Sequence, residues 1–219
     1  MVPSQQSTFD GVDITRADEL DLLGTVINSD MRWNAHIKRI ANEASKCIGF
    51  LKRCTKYFSP LDLRNIYYSH IRPKMEYNSH IWAGASKESL KLLDRVQDRV
   101  IKLIGDLEVV GTIDSLERRR KVGSISLFYR YFHGECSVEI AKLLPAIKIF
   151  GRNSRSSVNA HAFHLNEISE RTTHYRDSFL ARNLRIWNKL PANVFPDVYN
   201  PTLFKQNINC LFSATHPQF

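Results

Sequence analysis

Residues 22–40, LLGTVINSDMRWNAHIKRI, change periodicity halfway along. Leu22, Leu23 and Gly24 lead into the β-branched run Thr25, Val26 and Ile27, which reads as a strand. Trp33 and Asn34 then open a basic helix, with Asn34 as its expected cap. A strand that stops against a tryptophan and a helix this near Met1 reads as a seam rather than a beginning. Just upstream, Asp10-Gly11 is a turn signal, so residues 9–28 are expected to form two short strands with that turn between them. One hairpin alone is marginal in water and needs a sheet to join. The rest of the sequence offers few strands.

Outward from that stretch the pattern is helical. Ile37, Ile40, Ala41, Ala44, Cys47, Ile48 and Leu51 share one face. From Arg32 to Lys56 there are seven Lys or Arg residues and a single acid, Glu43, so the opposite face is almost purely positive. Solvated faces usually mix signs, and a single-sign face suits a phosphate backbone. Ser59-Pro60 opens a second helix whose core side is Leu63, Ile66, Tyr67 and Ile71, and Arg72-Pro73 is expected to break or kink it. Ser86 caps a third helix over 87–104, ended by Gly105. Its polar face, Asp94, Arg95, Asp98, Arg99 and Lys102, alternates in sign and reads as solvated surface with intrahelical pairs.

Residues 114–133 read as helix in two parts split near Gly123. They hold the densest basic run, Arg118, Arg119, Arg120 and Lys121, and then Phe128, Tyr129, Tyr131 and Phe132. Cations beside rings are what a single-stranded nucleic-acid site uses. Rings at this spacing are more often core. Ser137 caps a short helix closed by Pro145, and residues 146–175 turn polar and loop-rich. A further helix carries Phe179, Leu184 and Trp187, and Asn200-Pro201 caps the last.

The 219 residues are 43% hydrophobic and 24% charged, enough for a real core. Net charge is +9; residues 1–30 hold six acids and one base, whereas residues 31–219 hold 30 bases and 16 acids. A basic body of this kind suits a polyanion. No apolar run approaches the ~20 residues of a spanning helix. MVPSQQSTFDG lacks the pattern of a secretory signal, so an intracellular location, nuclear or cytoplasmic, is expected, with no membrane partner. Cys47, Cys54, Cys136 and Cys210 form no Cys-x-x-Cys pair and read as reduced, mostly buried thiols.

Catalytic chemistry finds little support. Asp94 and Asp98 share a helix face but lie beside Arg95 and Arg99, where ion pairing is the simpler role than holding paired metals. No Gly-rich phosphate loop, G-x-S-x-G or H-E-x-x-H occurs. His133-x-x-Cys136 and His161-x-x-His164, with His174 nearby, have pairwise ligand spacing. They lie far apart in sequence without a Cys-x-x-Cys anchor, and His133 sits at a helix end where carbonyls attract it. No metal or cofactor is assigned.

Five strings, in order, carry a resemblance: LLGTVINSDMRWNAHIKRIANEASKCIGFLKR, IRPKMEYNSHIWAGAS, LLDRVQDRVIKLIGD, LFYRYFHGECSVEI and RTTHYRDSFLARNLRIWNKLPANVFP. Together they resemble the C-terminal third of reverse transcriptases of non-LTR (LINE-type) retrotransposons, over about residues 9–210. The resemblance implies that residues 1–30 are a remnant of the last palm hairpin, beside the primer. Residues 31–145 are then a thumb-like helical domain, and 146–219 a loop-rich and helical C-terminal region. In that family the catalytic aspartates lie upstream. Thr25 and Asn28 depart from the family's usual Val and Asp in the segment L-G-V-x-I-D.

The sequence-level expectation is therefore a mainly α protein, a helical bundle with a small N-terminal β-hairpin. It is expected to be non-catalytic and to bind RNA or an RNA–DNA template–primer by backbone phosphates. The candidate contacts are Lys38, Arg39, Lys46, Lys52, Arg53, Arg118, Arg119, Arg120 and Lys121. The alternative is a helical protein-interaction or functionless remnant without nucleic-acid activity.

Overall fold

The computed structural model describes residues 8–13, 17–149 and 161–214. The chain is mainly α. Two separate two-stranded sheets precede the helices: β1 (Thr8–Phe9) with β2 (Val12–Asp13), and β3 (Glu19–Leu22) with β4 (Thr25–Asn28). Asp10-Gly11 turns the first pair as expected. The second pair was not anticipated, because residues 22–27 read as one continuous strand. The chain instead reverses at Leu23-Gly24, with φ of 50° and 78°. Positive φ at both central residues makes a turn whose twist fits a hairpin. Leucine is a poor occupant of that conformation, so local preference gave no cue.

The hairpin lies on a helix through one strand only. Thr25 and Val26 of β4 are buried, whereas all four residues of β3 are exposed. The Val26 N–H donates to Nδ1 of the buried His36 at 3.2 Å, and Asn78 Nδ2 donates to Thr25 Oγ1 at 3.0 Å. The outer edge of β3 and the side chains of Leu20, Leu22 and Leu23 stay in solvent.

Helix α1 (Asn34–Cys54) buries Ile37, Ile40, Ala41, Ala44, Ile48 and Leu51, in the predicted register. Fully burying an Ile or Leu contributes about 1.5–3 kcal/mol. Asn34 does not cap α1: no side-chain bond closes that end, and its Oδ1 accepts from Ser89 Oγ at 2.6 Å. Helix α2 (Pro60–Ile66) starts with a reciprocal Ser59–Asp62 capping box. The break expected at Arg72-Pro73 is absent. A π-helical turn, Tyr67–Ile71, leads into α3 (Arg72–Glu76). Pro73 lacks an N–H and crowds the carbonyl four residues back, and a widened turn accommodates both defects without ending the helix.

After α4 (Ser79–Trp82), α5 (Lys87–Ile104) runs from its Ser86 cap to Gly105, as predicted. Helix α6 (Leu107–Val110) is one turn. Helix α7 (Leu116–Phe132) is unbroken, correcting the split expected at Gly123. Gly123 faces solvent and costs only about 1 kcal/mol of helix propensity, too little to stop a capped, well-packed helix. Helices α8 (Val138–Ala141), α9 (Thr173–Arg176), α10 (Phe179–Trp187) and α11 (Pro201–Ala214) complete the chain. Asn200 Oδ1 accepts from the Leu203 N–H at 2.9 Å, the expected cap of α11. Part of the predicted loop, 150–160, lies outside the described residues; its flanks meet in an Ile147–Leu165 bridge.

The described residues form two hydrophobic centres. The first joins α1 to α5 with Trp82, Leu93, Val100 and Leu116. The second joins Val122, Ile125, Phe128 and Tyr129 of α7 to Leu184, Trp187, Phe204 and Ile208. The core therefore divides within α7, between Leu116 and Val122. Residues after Lys121 turn their apolar side toward the C-terminal helices. Gly84 brings the two halves together: a Cβ there would lie 1.9 Å from the Asp177 carbonyl oxygen. Arg182 bridges the same junction, donating to the carbonyls of Asp177 and His80 at 3.0 Å each. Burial pulls its guanidinium down to about 10.

Candidate nucleic-acid interface

Helix α1 has to present one side because the other is core. Lys38, Lys46, Lys52 and Arg53 are exposed, and none has an ion-pair partner among the described residues. Arg39 is different. Its guanidinium meets the Asp21 carboxylate and the Gly24 carbonyl, each at 2.5 Å. That pair holds the Asp21 carboxyl below the usual carboxylate range, the hydrogen bond from Arg39 being the main cause. Arg39 therefore ties the hairpin to α1, and a phosphate would have to compete with Asp21 for it.

Helix α5 lies parallel to α1. Ser89 Oγ donates to Asn34 Oδ1, and Arg99 donates to Ser45 Oγ at 2.6 Å, so contacts advance in the same direction along both helices. Between them runs an open groove of about 550 Å³. Ala41, Leu92 and Val96 are among its lining residues, with Lys38, Arg95, Arg99 and Lys102 supplying positive charge against one carboxylate, Asp98. Arg95, Asp98, Arg99 and Lys102 are exposed, as the solvated reading of α5 expects, and they also line the groove. Asp94 lies 3.8 Å from Arg120 of α7, while Arg95, Arg99 and Lys102 line the groove together with Asp98. The signal was present in the spacing, since residues 95, 99 and 102 recur at intervals of four and three, one face of a helix.

The densest basic run behaves in the opposite way. Arg118 pairs with Asp114 at 2.7 Å and donates to Asn209 of α11. Arg119 makes a two-pronged bond to Glu76 of α3. Arg120 is 4% exposed and sits opposite Asp94; burial lowers its proton affinity and raises that of Asp94, each outweighing their attraction. Lys121 pairs with Glu117 at 2.7 Å. Arg118, Arg119 and Arg120, expected with Lys121 as phosphate contacts, connect α7 to α11, α3 and α5; Lys121 pairs within α7, and none of the four joins the cations of α1. Asn209, Glu76 and Asp94 lie far in sequence from the arginines they meet, whereas Asp114 and Glu117 are each four residues from theirs.

The rings that follow are core. Phe128 and Tyr129 are buried, and Tyr129 stacks on Phe204 with centroids 4.1 Å apart. His161 is 3% exposed and its Nε2 lies 2.9 Å from the Trp187 carbonyl oxygen. His133 packs on the Tyr129 ring. Among the described residues no group of three or more His, Cys, Asp or Glu is placed to hold a metal. The four cysteines are free thiols; Cys54 is buried, Cys47 and Cys136 are half-buried and Cys210 is exposed, so Cys210 departs from the buried expectation. Among the described residues no helix is long and apolar enough to cross a membrane.

The chain matches no protein-family model, no curated protein and no solved structure.

Proposed function

We propose that this chain grips RNA or an RNA–DNA template–primer through its phosphates, as the thumb and following region of a non-LTR reverse transcriptase would, inside the cell and without polymerase chemistry of its own. The observation that carries the reading is the α1–α5 groove, with four cations and one carboxylate along its walls. Lys46, Lys52 and Arg53 extend the positive surface along α1. Phosphate contacts position a backbone without reading bases, so little sequence preference is expected. The resemblance in the five ordered strings supplies the family.

The test is the salt dependence of binding to an RNA–DNA hybrid. Each phosphate contact contributes about 0.7–0.9 to the slope of log K against log salt. Replacing Lys46, Lys52 and Arg53 together by Gln should flatten the slope by about 2–3. Replacing Lys38, Arg95 and Lys102 should act similarly on the groove. Unchanged slopes in both variants would remove this surface from nucleic-acid binding.

A second reading, protein interaction, has one observation in its favour. Leu20, Leu22 and Leu23 are 58%, 53% and 80% exposed beside the open edge of β3. An edge strand with apolar side chains accepts another strand readily. Binding that is absent or insensitive to salt would favour this reading.

A further inference from the structure

The outer face of α1 alternates two kinds of side chain. Lys46, Phe50, Arg53 and Tyr57 recur at intervals of four, three and four. Tyr57 lies just past the helix, but its N–H still bonds to the Cys54 carbonyl and Thr55 keeps helical angles, so the row continues. Phe50 is 51% exposed and Tyr57 83%, and both cations are exposed. Neither ring is part of either hydrophobic centre. Gly49 lies beside this row, three residues from Lys46 and Lys52 and four from Arg53. A Cβ there would meet nothing within 4 Å. A glycine inside a helix weakens it, and no packing among the described residues requires one here. Bare helix backbone amid cations is what close approach by a ligand asks for.

We propose that this face of α1 takes an unpaired nucleic-acid strand, its bases stacking on Phe50 and Tyr57 and its phosphates lying against Lys46 and Arg53 across the open backbone at Gly49. The idea rests on the nucleic-acid reading and adds the strand type. A protein partner would favour a continuous apolar row; here every ring is followed or preceded by a cation, which is complementary to a polyanion with π faces. The groove between α1 and α5 holds no exposed ring, so stacking distinguishes the two surfaces.

The experiment compares the full chain with Phe50→Leu/Tyr57→Leu, using a labelled single-stranded RNA of mixed sequence and an RNA–DNA hybrid of equal length. Leucine keeps apolar bulk and removes the ring. Loss of stacking at two positions should weaken single-strand binding at least ten-fold and leave hybrid binding within two-fold. Phe50→Trp/Tyr57→Trp should retain or improve single-strand binding. Gly49→Ala should raise Tm yet weaken single-strand binding, a pair of effects that a purely structural role would not produce. Salt-dependent hybrid binding with an unaltered single-strand affinity in the leucine variant would overturn the ladder, leaving the groove reading intact and giving this face to a protein. Absence of salt-dependent binding to either probe would overturn both.

Discussion

Two arginines, Arg53 and Arg119, show how little a basic residue says by itself. Arg53 and Arg119 both sit in dense positive runs. Arg53 ends in solvent, whereas Arg119 holds both oxygens of Glu76, with side chains 32% and 20% exposed. A charge-assisted, two-pronged bond of this kind contributes about 1.5–3 kcal/mol. Its proton affinity is raised chiefly by that hydrogen bond, as expected for a cation held by a carboxylate. Arg119→Met should therefore destabilise the fold by about that amount, because Glu76 keeps only Arg72, 3.9 Å away. The same variant should leave the salt slope of nucleic-acid binding unchanged. Urea unfolding and a salt titration of one protein check both halves, and a flattened slope would return Arg119 to the interface. Sequence alone put Arg53 and Arg119 in one class, since the distinguishing partner lies 43 residues from Arg119.

Elements were most legible where their ends are fixed by neighbours in the chain. Ser59-Pro60, Ser86 with Gly105, and Asn200 each set a helix end through bonds spanning a few residues, and those ends were read correctly. The errors were of another kind. Leu23 adopts a turn conformation that only its surroundings enforce, and α7 passes Gly123 because packing on both sides outweighs a local penalty. The groove was half legible. The α1 cations stood out, but the α5 cations became a site only when parallel packing placed them across from Lys38. Gly84 belongs to this scale as well: nothing nearby in sequence demands it, yet Asp177 and Arg182 leave no room for a Cβ. Gly84→Ala must push the turn before α10 away from α4, and overpacking of this sort costs about 1–3 kcal/mol. For a chain of this size the expected fall in Tm is on the order of 5 °C. An unchanged melting temperature would show that the junction between the two hydrophobic centres yields freely.

The whole molecule combines a basic exterior with five histidines whose proton affinity burial lowers. His36 and His161 are 1% and 3% exposed, and burial is the main cause that lowers the proton affinity of each; His80, His133 and His164 shift the same way for the same reason. His36 has structural cause to stay neutral, since its Nδ1 accepts the Val26 N–H that holds the hairpin. In the unfolded chain these rings protonate near pH 6.5. Below that pH the unfolded state binds more protons than the folded one, so stability present above about 6.5 is lost as pH falls toward the depressed folded values. Each buried histidine that remains neutral contributes a slope of up to about 1.4 kcal/mol per pH unit in that window. Asp94, whose carboxyl is raised by burial, works in the opposite direction, but in the lower range where carboxylates titrate. Between pH 7 and 5 the histidines therefore dominate. As the pH falls far enough for the folded rings to take protons as well, each adds to a net charge already at +9, which increases self-repulsion in the folded state. On the proposed function a bound polyanion relieves that repulsion, so the loss should be steep for the free chain and shallower with a saturating RNA–DNA hybrid. Thermal melts at pH 7.5 and 5.5, with and without the hybrid, measure both. Equal stability of the free chain at the two pH values would mean that the folded state admits protons at His36 and His161 as readily as the unfolded one. Equal pH losses with and without the hybrid would place the repulsion away from the surface that nucleic acid covers.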